Sequence, residues 1–314
     1  MPQRKSLNRA FGKEIDMTKK TLYLHASDKI FLIFVYTLLS VVFILTIYPL
    51  IFVLSASFSS GQAIFSGKVL LWPVNPSIEG YLAVFRTGDV FVGFRNSIFY
   101  TVAGTAINII LTLLAAYPLS RRVLIGKNFL LLLFSFTMIF SAGMIPNFIL
   151  MMQLGLIDTV WALLLPGALS VYNMIIVRTY FSSNLPYEMY EAAIIDGSTE
   201  FQFFLRIAVP LAKPAIAVVA LFYSIGHWNN YFNAFLYISL EELFPLQIVL
   251  RNILITQRID VETLISVNAL VDKNYLAEVM KYSLIVIATI PMMLLYPFAQ
   301  KYFVKGMIVG SLKG

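Results

Sequence analysis

Glu191-Ala192-Ala193-Ile194-Ile195-Asp196-Gly197 is followed, after nine intervening residues, by Ile207-Ala208-Val209-Pro210, and the whole stretch lies between two long apolar runs. Asn184 and Pro186 suit a helix N-terminus, and Glu188 places an acid in the first turn. Gly197 is free to take the left-handed conformation that ends the helix. Thr199 and Gln202 then stand at capping-box spacing for a second short helix. Glu-Ala-Ala alone is a run of ordinary helix formers, so the reading rests on the full spacing and on its context. A polar helix-turn-helix set between membrane spans is a docking element, expected on the cytoplasmic side.

The composition sets that context. Of 314 residues, 59% are hydrophobic and 12% charged, about half the charge of a soluble domain, and the mean hydropathy is +0.82. This describes a polytopic membrane protein. The net charge of +7 does not mark a nucleic-acid surface, because the basic residues lie in loops beside apolar runs, where they set orientation. With no cysteine in the chain, disulfides, thiol catalysis and thiolate metal sites are excluded.

Runs of about twenty apolar residues, enough to cross roughly 30 Å of hydrocarbon, fall near 30–54, 95–118, 129–152, 158–180, 212–238 and 281–303. The expected fold is therefore all-α, a membrane bundle of about six helices spanning 30–314, after a basic leader at 1–29 that anionic lipid would hold. The first run is too long, and starts too far along the chain, for a cleavable signal peptide. Arg4, Lys5, Arg9, Lys13, Lys19, Lys20 and Lys29 precede it, Arg121, Arg122 and Lys127 fill the second connection, and Lys301, Lys305 and Lys313 follow the sixth run. The positive-inside rule then puts both termini and the Glu191 loop, about 184–211, in the cytoplasm. The connections at about 55–94 and 239–280 fall on the opposite side. Pro118, Pro146, Pro166 and Pro291 should break or kink their helices, as is tolerated where a neighbour or a cavity satisfies the freed carbonyls.

No G-x-x-x-x-G-K-[S/T] phosphate loop occurs, so ATP must bind elsewhere. No Asp or Glu lies at the centre of a span, where proton- or sodium-coupled carriers commonly place one. Nor does a nucleophile, base and metal constellation appear, so the chain reads as non-catalytic. Span five is unusually polar, with Tyr223, Ser224, His227, Trp228, Asn229, Asn230, Tyr231 and Asn233. Two readings stay open for these residues: hydrogen bonding between helices, or a solvated route in which amides and aromatic faces meet a polar solute. Tyr172 and Asn173 in span four, and Asn147 in span three, belong to the same group. His227 is either a packed, hydrogen-bonded residue or part of the route, and with only His25 for company it is not a metal ligand. In the connection 239–280, the run from Phe244 to Arg251 and the acids Asp260 and Glu262 read as structured surface, either a cap on the bundle or a docking face.

The Glu191-Ala192-Ala193, Gly197, Ile207 and Pro210 pattern resembles that of permease subunits of ATP-binding cassette (ABC) importers, whose matching loop engages the ATPase. It departs once, at Val209, where leucine is usual. The segment from Tyr302 to Gly306 and the terminus Leu312-Lys313-Gly314 resemble the end of carbohydrate-type, maltose-permease-like members, and the likeness runs from about Lys29 onward. Ala142 to Asn147 and Ile225 to Asn229 resemble the branch that includes importers of oligosaccharides from acidic polysaccharides such as alginate and pectin.

The resemblance implies a type I importer fold in the bacterial cytoplasmic (inner) membrane. It implies ATPase coupling through Glu191, Ala192, Ala193, Asp196, Gly197, Ile207 and Pro210. The implied partners are a second, homologous permease in a heterodimer, two copies of a cytoplasmic cassette ATPase that hold the ATP and magnesium, and an extracytoplasmic solute-binding protein. The route would be lined from Tyr172, Asn173, Tyr223, His227, Trp228, Asn229, Asn230 and Asn233. A self-sufficient carrier or channel for a polar solute is the rival reading, against which the Glu191 loop and the missing mid-span carboxylates both weigh.

Overall fold

The computed structural model describes residues 26–256 and 267–311. Most of the basic leader, the acids Asp260 and Glu262, and Leu312-Lys313-Gly314 lie outside the described residues. Two compact units meet in sequence at Phe52 and Val53. The first holds most of helix α1 (Ala26–Ser57), which is apolar on every side and exposes Phe31, Phe34, Leu45 and Leu50. A helix of that composition is stable only where lipid or another apolar surface covers it.

The second unit is built on α4 (Gly88–Ser120), a 33-residue helix. Before it come α2 (Gly61–Phe65) and α3 (Glu79–Arg86), so the connection expected at 55–94 carries its own helices and ends earlier than predicted. Among the described residues, three helices are continuous and apolar enough to cross a membrane: α1, α4 and, within α15 (Val267–Ser311), residues Asn274–Leu295.

The other predicted spans are interrupted. The third run forms α5 (Lys127–Ile139) and α6 (Met144–Gln153), which meet at 110°. The break falls at Phe140–Gly143, where Gly143 has φ 84°, and Pro146 then sits harmlessly in the first turn of α6. The fourth run, near 158–180, forms α7 (Trp161–Leu164) and α8 (Val171–Asn184), parted at Pro166 and Gly167 where the proline was expected to break or kink it. Neither of the two is long enough alone.

At two other prolines the helix is not broken. Pro118 leaves α4 running to Ser120, where Arg121 N–H closes on the Pro118 carbonyl at 3.0 Å. α15 continues through Pro291 and Pro297 without a break. The sixth helix also starts well before 281, so the connection 239–280 is largely helical, with a 3-10 turn at Glu241–Leu243 and α14 (Leu246–Thr256). Three side chains of α4 fix that turn. Asn96 Nδ2 donates to the carbonyls of Glu242 (2.7 Å) and Phe244 (3.0 Å), Tyr100 Oη donates to Leu243 (2.9 Å), and Ser97 Oγ accepts the Leu246 N–H (2.8 Å).

Candidate functional site

The quoted motif forms α9 (Tyr187–Ile195), α10 (Glu200–Phe203), a π-helical turn over Phe204–Ala208, and α11 (Val209–Leu211). The expected cap at Asn184 is corrected. Asn184 closes α8, its Nδ2 donating to the Tyr180 carbonyl at 3.0 Å, and Pro186 is the N-cap of α9. Glu188 does lie in the first turn. At the other end Gly197, at φ 81°, makes a Schellman turn: its N–H donates to Ile194 O and that of Ser198 to Ala193 O, each at 2.9 Å. The capping box is complete, with Gln202 N–H to Thr199 Oγ1 at 3.2 Å and Thr199 N–H to Gln202 Oε1 at 3.0 Å.

The π turn precedes a proline that has no N–H and whose ring would crowd the carbonyl of Arg206 four residues back. After it, α12 (Lys213–Trp228) departs at 76°, with Pro214 near its start.

Burial sorts the motif residues. Ala193 is buried with Tyr117, Phe181, Phe203 and Ala208, so its small side chain permits close packing within this subunit. Ile207 and Val209 pack against the same cluster, and a valine in place of leucine is accommodated there. Glu191, Ala192, Asp196, Gly197 and Pro210 face outward, beside the exposed apolar side chains of Ile194, Ile195, Phe201 and Leu205. Ile195 is 85% exposed. Apolar side chains gathered on an outward helix-turn-helix mark an interaction surface, for protein or for lipid. A groove of about 300 Å³ opens alongside, between Arg122, Ser182, Ser183 and Pro186-Tyr187-Glu188.

A cluster that the motif did not reveal ties this element to α4. Tyr117 Oη donates to Glu200 Oε1 at 2.6 Å, and Arg121 Nε stands 3.6 Å from the same oxygen. The Arg121 guanidinium carbon lies 3.8 Å from the centre of the Tyr190 ring. Hydrogen bonding to Glu200 raises the Tyr190 phenol above its ordinary value. Sequence reasoning used Arg121 only as a topological charge, since Tyr117 and Glu200 are 83 positions apart and no local spacing connects them.

The route candidates divide into two groups. Tyr223, His227, Trp228 and Asn173 are buried within the chain. The Tyr223 hydroxyl shares a 2.7 Å hydrogen bond with Thr112 Oγ1 and accepts the Ser170 N–H at 3.1 Å; Ser224 and Thr105 pair at 3.2 Å; Trp228 Nε1 donates to Ala288 O at 2.9 Å. His227 packs its ring on Gly104, but its Nε2 meets no hydrogen-bond partner among the described residues, so the expected hydrogen-bonded histidine is packed without that bond. Asn229 and Asn230 connect α12 to α13 (Tyr231–Tyr237), which carries Asn233. Asn229 and Tyr172 are exposed, and Asn230 and Asn233 partly so. The interhelical hydrogen bonds thus come from Tyr223, Ser224 and Trp228, while the three asparagines gather at a break in the span.

Another contact, not signalled by any local motif, closes the C-terminal end of α13. Asp158, at φ 57°, accepts the backbone N–H groups of Ser239 and, at 3.3 Å, Leu240, and its own N–H donates to Tyr237 O at 2.9 Å.

Interrupted apolar helices, with an exposed helix-turn-helix anchored to the longest span of the second unit, describe a membrane-embedded protein. Residues 108–309 match the family described as "Binding-protein-dependent transport system inner membrane component". The polygalacturonan/rhamnogalacturonan transport system permease protein YtcP of Bacillus subtilis (strain 168) is 40% identical over 83% of this chain and 91% of its own length. Protein LplC of the same strain is 42% identical over 84% of this chain and 88% of its own. Among solved structures, a chain of a bacterial ABC transporter involved in the import of the acidic polysaccharide alginate superposes with a TM-score of 0.82 at 35% identity, covering 90% of this chain and all of that one.

The chain belongs to the inner-membrane components of binding-protein-dependent transport systems. It is a multi-pass permease subunit of an ABC importer, with the type I fold.

Proposed function

We propose that this subunit forms half of a translocation route for an oligosaccharide, and that α9 to α11 is the cytoplasmic lever through which a cassette ATPase drives it. The observation that carries this reading is the lever itself: a rigidly capped helix-turn-helix that exposes Ile194, Ile195 and Phe201 while its inner face is fixed to α4. The subunit is not itself a catalyst; ATP and magnesium sit on two copies of the ATPase. A second, homologous permease completes the route, and an extracytoplasmic solute-binding protein delivers the cargo. Both termini lie in the cytoplasm.

Asn229, Asn230, Asn233 and Tyr172 are the route residues this reading favours, because they stay open to a partner or to solvent. A break in a span leaves backbone groups unpaired, and these are tolerated where they line a watery cavity. Tyr223, Trp228, His227 and Asn173 brace the helices behind them. The relatives named for polygalacturonan and alginate support an acidic oligosaccharide as cargo. ATP hydrolysis should require this chain, its ATPase and the loaded receptor together, and mass spectrometry of sugar copurified with the receptor should find uronic-acid oligomers. Receptor-independent uptake by this chain alone would establish the self-sufficient carrier instead.

The orientation has its own test in this cysteine-free chain. Trp72→Cys, at a site 80% exposed, should react with an impermeant thiol reagent added outside right-side-out vesicles, and Ile195→Cys should react only after the vesicles are opened. Labelling of position 195 from outside would invert the topology.

A further inference from the structure

We propose that Arg121 is the positioning residue that keeps the docking lever in register with α4, so that motion of the lever reaches the span. The inference rests on the reading of α9 to α11 as the ATPase-docking element. Arg121 is the first residue beyond α4, a favourable place for a cation at a helix C-terminus. Its side chain is only 13% exposed. From there one planar group reaches two further elements. It stacks on Tyr190 of α9 at 3.8 Å, lies 5.5 Å from the ring of Phe203 on α10, and pairs with Glu200, the first residue of α10, which Tyr117 of α4 also holds.

The alternatives for this job are weaker. Only Asp196–Thr199 separate α9 from α10, and the hydrogen bonds of that turn tie α9 and α10 to each other rather than to α4. The buried contacts of Ala193 and Phe203 hold the elements close, but dispersion has little directional preference. A guanidinium plane does fix direction, through its stacking face and its rim of donors. Because Glu200 is 51% exposed, the ion pair itself adds little stability. The main effect of removing Arg121 is therefore on transmission, with fold and assembly largely kept.

The test uses the full complex in vesicles and the solute-binding protein as purified with its cargo. Stimulation of ATP hydrolysis by the receptor is measured, together with a cross-link from Ile195→Cys to the ATPase. Arg121→Ala should lower the stimulation at least fivefold while the cross-link still forms. Arg121→Lys, which keeps the charge but not the plane, should recover less than half of the loss. Tyr190→Phe keeps the stacking ring and should stay within twofold of the parent, whereas Tyr190→Leu should fall as Arg121→Ala does.

Stimulation within twofold of the parent in Arg121→Ala, with the cross-link present, overturns the proposal and leaves the docking reading intact. Failure of the cross-link in the otherwise unaltered chain overturns the docking reading and this inference with it. If Arg121→Ala does not assemble, Tyr190→Leu, which leaves the cation in place, decides by the same twofold criterion.

Discussion

Gly197→Val should cut uptake per assembled complex by about tenfold or more, while Gly197→Asn should cost less than about twofold. The two substitutions separate backbone conformation from bulk. Nothing lies within 4 Å of a Cβ built at position 197, so a Cβ as such meets open space in either variant. What differs is φ 81°, a region that asparagine enters with modest strain and a β-branched residue resists. Holding an L-residue there costs about 1–2 kcal/mol, a factor of roughly 5 to 30 in the population of the native turn. The turn consists of two hydrogen bonds, one of which ends on the carbonyl of buried Ala193, so a different turn moves exposed Ile194 and Ile195 relative to the core beneath them. Uptake and receptor-stimulated ATPase, each normalised to complex recovered from the membrane, are the measurements. Parent-level uptake in the valine variant would remove this loop from coupling.

The parts of the lever that could be read from the sequence are those whose physics is local. A capping box needs two residues three apart, and a Schellman turn needs one residue at ease with positive φ; Thr199, Gln202 and Gly197 carried those signals. Asn184 misled because an asparagine caps a helix start as readily as it bonds back to the last turn of the helix before, and only the length of α8 decides between them. Hydropathy alone found the apolar runs but not their breaks, which in the fourth run Pro166 signalled. It averages over about twenty residues, and a window that contains Pro166 and Gly167 still scores as a span, although α7 and α8 are separate helices.

Non-local contacts lay out of reach for the same reason. Arg121 read as one more loop charge, because the residues that give it a role, Tyr190, Phe203 and Glu200, come to it only when α9 and α10 fold back on the end of α4. In span five the polar composition was legible, but the assignment of each side chain was not. Tyr223, His227 and Trp228 face α4 or α15, and the asparagines fall at the break after Trp228, a position set by where α12 ends.

Gly104→Ala should reduce assembled complex in the membrane severalfold, and His227→Ala in the same chain should restore most of it. α4 and α12 are in close contact at this pair. A Cβ on residue 104 would stand 2.4 Å from both Cε1 and Nε2 of the His227 ring and 2.7 Å from Nδ1, about 1 Å nearer than ordinary contact allows. The helices cannot simply part to make room, because the Thr105–Ser224 and Thr112–Tyr223 hydrogen bonds clamp them on one side of the contact. Nor can the ring swing freely, since His227 is buried and the next residue, Trp228, is fixed by its bond to Ala288 and by Phe94 edge-on at 5.7 Å. Overpacking of this kind typically costs about 1–3 kcal/mol, and close helix approach at small residues is a main source of association inside a bilayer. His227→Ala alone should lose some packing, but in the double variant the new methyl group occupies space the ring has left, so the two losses should not add. The measurement is complex recovered per cell for the parent, both single variants and the double variant. A double variant no better than Gly104→Ala would mean that the clash with His227 is not what limits assembly.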